Sequence, residues 1–169
     1  MAREYGFLMI GYEKPKFIQE LQNKIPSEEL YTEEGNDEYG IENETHVTLV
    51  PCLDKHFCCD DLKQCLKPLS KYSIILTNIS KFENDKYDVL KCDVGSEPLI
   101  ATNSDICSKF PTFTEFEEYH PHITIAYLKK GMADKYCNDC ISPLVILKPK
   151  CFMWSGCNDN DEEINLNWV

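Results

Sequence analysis

The chain has 169 residues, of which 43% are hydrophobic and 11% aromatic, so a disordered or collagen-like chain is excluded and one folded domain is expected. Asp and Glu (29) outnumber Lys and Arg (17), the net charge is -12, and Arg3 is the single arginine. Gripping duplex DNA or RNA by its phosphates draws on dense positive charge, so that mode is disfavoured, whereas a small anion held by a few local donors is compatible.

Residues 1–12 carry no basic region leading into an apolar core and a small-residue cleavage site; with no apolar run near the roughly 20 residues of a membrane span, a cytoplasmic protein without a membrane partner is expected. Tyr5 to Gly11 reads as a buried first strand. Pro15 opens a helix carrying Phe17, Ile18, Leu21 and Ile25, and Pro26 helps to stop it. Residues 27–40 are acidic and read as an exposed loop. A strand runs from Thr45 to Pro51, ended by the proline. Leu62, Cys65, Leu66 and Leu69 predict a second helix over residues 59–69. Strands over 72–82 and 87–94 flank an Asn84-Asp85 turn and predict a hairpin. Pro98 begins a helix that Pro111 closes, and Phe113 to Pro121 is an aromatic and acidic connector. His122 to Leu128 is a strand, residues 133–140 a short helix or turn, and strands over 144–154 and 163–168 are joined by a Gly/Asn/Asp-rich turn. The sum is an α+β chain with antiparallel or mixed sheets and helices outside.

The order strand, helix, strand occurs twice, over residues 5–50 and 87–128. Each copy ends on a strand that begins His-x-Thr: His46-Val-Thr48 and His122-Ile-Thr124. Because side chains alternate along a strand, His46 and Thr48 share one face, as do His122 and Thr124, with imidazole and hydroxyl about 6.7 Å apart. Thr occurs eight times, so it follows a given His at plus two with a chance of roughly 5%, and two such hits among four His arise by accident at roughly 1%. Two core-edge histidines beside threonines are the non-catalytic alternative, which suits one such strand better than a matched pair.

The residue types fit phosphodiester chemistry. One imidazole activates a nucleophilic hydroxyl or water and the other protonates the leaving oxygen, each worth about 10²–10⁴ in rate. The two Thr hydroxyls donate to the non-bridging oxygens as charge gathers there. No cofactor or metal is required by this scheme. Which histidine is acid and which is base stays open.

At these residues the chain resembles the 2H phosphoesterase superfamily, named for its paired His-x-Thr motifs. The resemblance spans nearly the whole length, with the motifs 76 residues apart. It implies a LigT-like bilobal fold: residues 1–169 form one domain of two intertwined, pseudo-symmetric lobes whose sheets face a central cleft. It implies catalysis by His46, Thr48, His122 and Thr124. Phe116 to Tyr127 is similar to the second motif of phage anti-CBASS enzymes, which degrade cyclic oligonucleotide signals. The expected protein is therefore a monomeric, metal-independent phosphodiesterase for a small nucleotide or a cyclic or linear oligonucleotide. RNA-end processing, 2',3'-cyclic phosphodiesterase or 2',5'-RNA ligase-like activity, and a non-catalytic nucleotide sponge are the alternatives.

Four further residues are candidates for substrate binding. Tyr12 follows the first strand, and Trp154 ends a strand; either aromatic can stack a base or pack the core. Lys129 and Lys130 follow the second motif and either offset anionic charge or lie solvated. Tyr127 falls in alternation with Ile125 and is expected in the core, with His120 and His56 in loops. Ten cysteines, including Cys137 and Cys140 in a Cys-x-x-Cys spacing, are read as free thiols, because a zinc site needs a second ligand pair.

Overall fold

The computed structural model describes residues 4–156 and 162–167. Arg3, Cys157, Trp168 and most of the turn expected before the last strand lie outside the described residues. Eight strands are described: β1 (Tyr5–Tyr12), β2 (His46–Asp54), β3 (Ile74–Glu83), β4 (Tyr87–Gly95), β5 (His122–Lys129), β6 (Val145–Leu147), β7 (Pro149–Gly156) and β8 (Glu163–Asn165). The helices are α1 (Lys16–Lys24), α2 (Cys59–Leu66) and α3 (Glu97–Lys109). Pro15 precedes α1, and the Ser96 hydroxyl caps α3 by accepting the Leu99 amide at 3.3 Å.

All strand pairs are antiparallel, in the order β6-β3-β4-β5-β2-β1-β7-β8. The two expected sheets are the two four-stranded halves of this order. They meet at β2 and β5, where Val47 pairs with Ile123. Beyond that pair the strands diverge, and a connector from the opposite copy takes the vacated place. Ile41 bridges Ala126 beside β5, and Thr112 bridges Leu53 beside β2. The helices are exchanged in the same sense: α1 packs on β5 and α3 on β2.

Each His-x-Thr strand carries a bulge one residue after its threonine. Leu8 pairs with Val50 but Met9 with Thr48, leaving Leu49 extra; Leu90 pairs with Ala126 but Lys91 with Thr124, leaving Ile125 extra. Each bulged carbonyl accepts a side-chain amide from the other copy's helix. Asn103 of α3 donates to Leu49 O at 2.7 Å, and Gln22 of α1 donates to Ile125 O at 3.0 Å.

Of the strand boundaries that differ from the sequence reading, two are explained by the pairing. β2 runs through Pro51 to Asp54. The register with β1 slips again between Gly6 and Leu8, so Pro51 sits at an irregularity where no ladder N–H is demanded of it. The single strand expected over 144–154 is two: β6 pairs with β3, and β7 with β1. Only Lys148 separates them, so Leu147 and Pro149 are at most about 7 Å apart, whereas six strand spacings of a flat sheet would be about 29 Å. The sheet therefore curls until its two ends adjoin. The apolar core, including Leu8, Ile10, Val47, Leu49, Leu90, Ile123 and Ile125, lies on the helix-covered face. His46, Thr48, His122 and Thr124 are half-buried on the other.

Candidate active site

The pairing of Val47 with Ile123 fixes the centre of the open face. One step either way along the antiparallel register sets His46 towards Thr124 and Thr48 towards His122, all on the face opposite Val47 and Ile123. The four motif residues thus form a square, each imidazole diagonal to the other and flanked by both hydroxyls. His46 is close enough to His122 for its charge to bear on that ring.

Their surroundings differ. His122 Nδ1–H donates to the carbonyl of His120 at 2.8 Å. A carbonyl only accepts, so in the neutral ring Nε2 carries the lone pair. Burial depresses the His122 pKa below its ordinary value; the bond to His120 opposes this, Lys91 and His46 lower it further, and Asp93 raises it. His46 Nδ1 is buried and has no hydrogen-bond partner among the described residues, which leaves its tautomer free.

The neighbouring strands extend the contrast. In the β4–β5 register Asp93 lies opposite His122 and Lys91 opposite Thr124. In the β1–β2 register the corresponding positions are Gly11 and Met9. A Cβ at Gly11 would lie 2.4 Å from the Cys151 sulfur, so a larger residue there would need that side chain to turn away. Phe82 of β3 meets the His122 ring edge-on, with centroids 5.0 Å apart.

These motifs can be set beside known proteins. The family model described as the 2'-5' RNA ligase superfamily matches residues 13–139, about three quarters of the chain and both motifs. The chain belongs to that superfamily. Among solved structures it is similar to Usb1 of Kluyveromyces marxianus, at 11% identity and a TM-score of 0.59 over 98% of each chain, a likeness of fold. No curated protein sequence matches. Membership makes the chain a 2H phosphoesterase with a LigT-like α+β fold, the family of phosphodiester chemistry to which paired His-x-Thr motifs belong.

The structure brings the four motif residues of this superfamily member together and does not bring the four substrate-binding candidates to them. Trp154 is fully buried, its indole N–H donates to Leu53 O at 3.0 Å, and Phe57 packs edge-on against it. It is a core residue and offers no face to a base. Tyr12 is 5% exposed and lies with Leu8 and Ile10 on the core face, where burial raises its phenol pKa. Lys129 and Lys130 are exposed at the far end of β5, about 23 Å of strand from His122, and Lys130 donates to Asn84 O at 2.7 Å. The motif begins the strand and the lysines end it.

Tyr127 is a further correction. The bulge at Ile125 resets the alternation, so Tyr127 returns to the face of Thr124. There it packs with Tyr39 and Tyr87, and Tyr31 completes a four-ring cluster with centroids 4.8–5.6 Å apart. His120 is exposed, as expected, but its carbonyl orients His122. His56 is exposed and bonded to Asp54 at 2.9 Å. Among the described residues no cluster of three or more His, Cys, Asp or Glu is arranged to hold a metal ion, and Cys137 and Cys140 are exposed free thiols. No described helix is long and apolar enough to cross a membrane.

Sequence reasoning missed Lys91, Asp93, Gln22 and Asn103. The signal for the first two was available: Lys91 and Asp93 alternate with the apolar Leu90, Cys92 and Val94, so period two puts both charges on one face of the strand.

Proposed function

We propose that the chain is a metal-independent phosphodiesterase that cleaves a small nucleotide or a short cyclic or linear oligonucleotide by acid–base catalysis between His46 and His122. The observation that carries this reading is the square of two imidazoles and two hydroxyls around the Val47–Ile123 pair.

His122 is the base. Its Nε2 presents a lone pair because Nδ1–H is held by His120, and burial favours the neutral ring. It takes the proton of an attacking hydroxyl or water as the nucleophile's oxygen bonds to phosphorus. His46 is the acid: as the phosphorus–oxygen bond to the leaving group breaks, it delivers its proton to that oxygen. Thr48 and Thr124 donate to the two non-bridging oxygens as negative charge accumulates. A neighbouring 2'-hydroxyl as nucleophile yields a 2',3'-cyclic phosphate; water acting on a cyclic phosphate yields a monoester. The net charge of -12 favours a compact substrate over a long polyanion.

A signalling nucleotide, cleaved in anti-defence, is the substrate favoured by the likeness of Phe116–Tyr127 to the anti-CBASS motif. RNA-end processing is the second reading, favoured by the superfamily match. The test is turnover in excess EDTA on a panel of linear 2',5'- and 3',5'-linked, cyclic di- and trinucleotide, and 2',3'-cyclic phosphate compounds. Loss of substrate beyond enzyme stoichiometry is expected for one class. Stoichiometric binding without turnover across the panel would make the protein a sponge.

A further inference from the structure

We propose that Lys91 and Asp93 of β4 are positioning residues that set the protonation of His122, Lys91 favouring the neutral ring and Asp93 the charged one. The inference rests on the reading of His122 as the base.

Lys91 is a cation with only 5% of its surface exposed. Its ammonium lies 4.3 Å from the centroid of Phe82, whose ring in turn abuts His122. It donates to Ser80 Oγ at 2.6 Å and to Asp93 Oδ1. Ser80 passes the polarity on by donating to Asp93 Oδ2 at 2.8 Å, and Asn78 donates to the same oxygen at 2.7 Å. Burial alone would raise the Asp93 carboxyl; the bonds from Lys91, Ser80 and Asn78 and the Lys91 charge hold it below the usual carboxylate range. The carboxylate is therefore ionised wherever His122 titrates.

A buried ion pair costs desolvation that an apolar pair of equal volume avoids. The first copy of the repeat occupies the equivalent places with Met9 and Gly11. Charge is thus built into only one of two matching strands, the one beside the imidazole that must be neutral to work. Among the described residues the charged and titratable groups bearing on His122 are Lys91 and Asp93 from β4 and His46 from β2; from the connector before β5 it is met by the His120 carbonyl, the exposed Glu118–His120 pair (3.6 Å) lying beside it in sequence. On β3 the facing residues Asn78, Ser80 and Phe82 are uncharged.

The test is the imidazole nitrogen NMR titration of His122, assigned by the signal lost in His122→Ala. It is run on the full chain without substrate as wild type, Lys91→Met, Asp93→Asn and the double variant. Lys91→Met is expected to raise the midpoint and Asp93→Asn to lower it, each by about 0.5 pH unit or more. The double variant is expected to return toward wild type, and Lys91→Arg to keep the wild-type midpoint. Singles within about 0.2 unit of wild type, or both moving the same way, would overturn the inference. Asp93→Asn preserves shape at a partly exposed side chain, so it carries the test if Lys91→Met does not fold. The titration needs no turnover. Activity surviving in both His46→Ala and His122→Ala would therefore sink the catalytic reading while the titration still judged this one.

Discussion

Replacing Gln22 by Met tests whether the exchange of helices between copies is a structural necessity. The substitution keeps length and apolar bulk and removes only the amide. Gln22 is 5% exposed. Its Nε2 donates to Glu42 O at 2.8 Å and Ile125 O at 3.0 Å, and its Oε1 accepts from Lys14 at 2.9 Å. Ile125 O keeps a second donor, the Glu42 amide at 3.0 Å, so it loses one bond of two, worth about 1 kcal/mol. Glu42 O loses its side-chain donor, at about 1–2 kcal/mol. The expected loss is about 2–3 kcal/mol. With a urea dependence near 2 kcal/mol/M, the unfolding midpoint drops by about 1–1.5 M at unchanged slope. The same bond braces the bulge three residues past His122, so turnover of the folded variant should also fall, through kcat more than KM. A midpoint within about 0.25 M of wild type would show that the amide contributes little and refute the reasoning.

Further outcomes follow from the site and the core. His46→Ala and His122→Ala should each lower turnover by about 10²–10⁴-fold with the thermal unfolding midpoint nearly unchanged; assays of both variants on the best panel substrate decide it, and a loss under tenfold in both contradicts the roles given. Thr48→Val and Thr124→Val should cost about 10–10³-fold in kcat, as removal of one donor to a developing anion does. In the pH profile, activity should be lost as pH falls through the depressed pKa of His122, so the rising limb lies below the ordinary imidazole value of 6.5; a rising limb centred above pH 7 argues against His122 as base. Trp154→Phe should destabilise by about 2–3 kcal/mol, from a lost bond to Leu53 O and a void, while turnover per folded molecule holds. Normal stability with a large rise in KM would instead make Trp154 a substrate platform.

The order of elements was legible because alternation, prolines and turn residues act locally. The motif pair was legible because period two alone puts His and Thr on one face. What escaped the sequence reading was set by pairing between distant segments. A bulge leaves no mark on composition, so extending strict alternation past Ile125 sent Tyr127 to the wrong face. The break at Lys148 was hidden because residues on either side are equally strand-like, and only their partners, β3 and β1, tell them apart. Trp154 shares its parity with buried Phe152; reading that parity, not nearness to a turn, would have put it in the core.

The crossed placement of α1 and α3 has a mechanical consequence. Each helix acts as a lever whose fulcrum lies in its own repeat and whose working end rests on its counterpart's strand. Residues 16–24 hold the strand of His122 at Ile125, and residues 97–109 hold the strand of His46 at Leu49. The two motif strands are thereby tied to each other's repeat, so a lesion in either helix loosens the opposite repeat's motif strand.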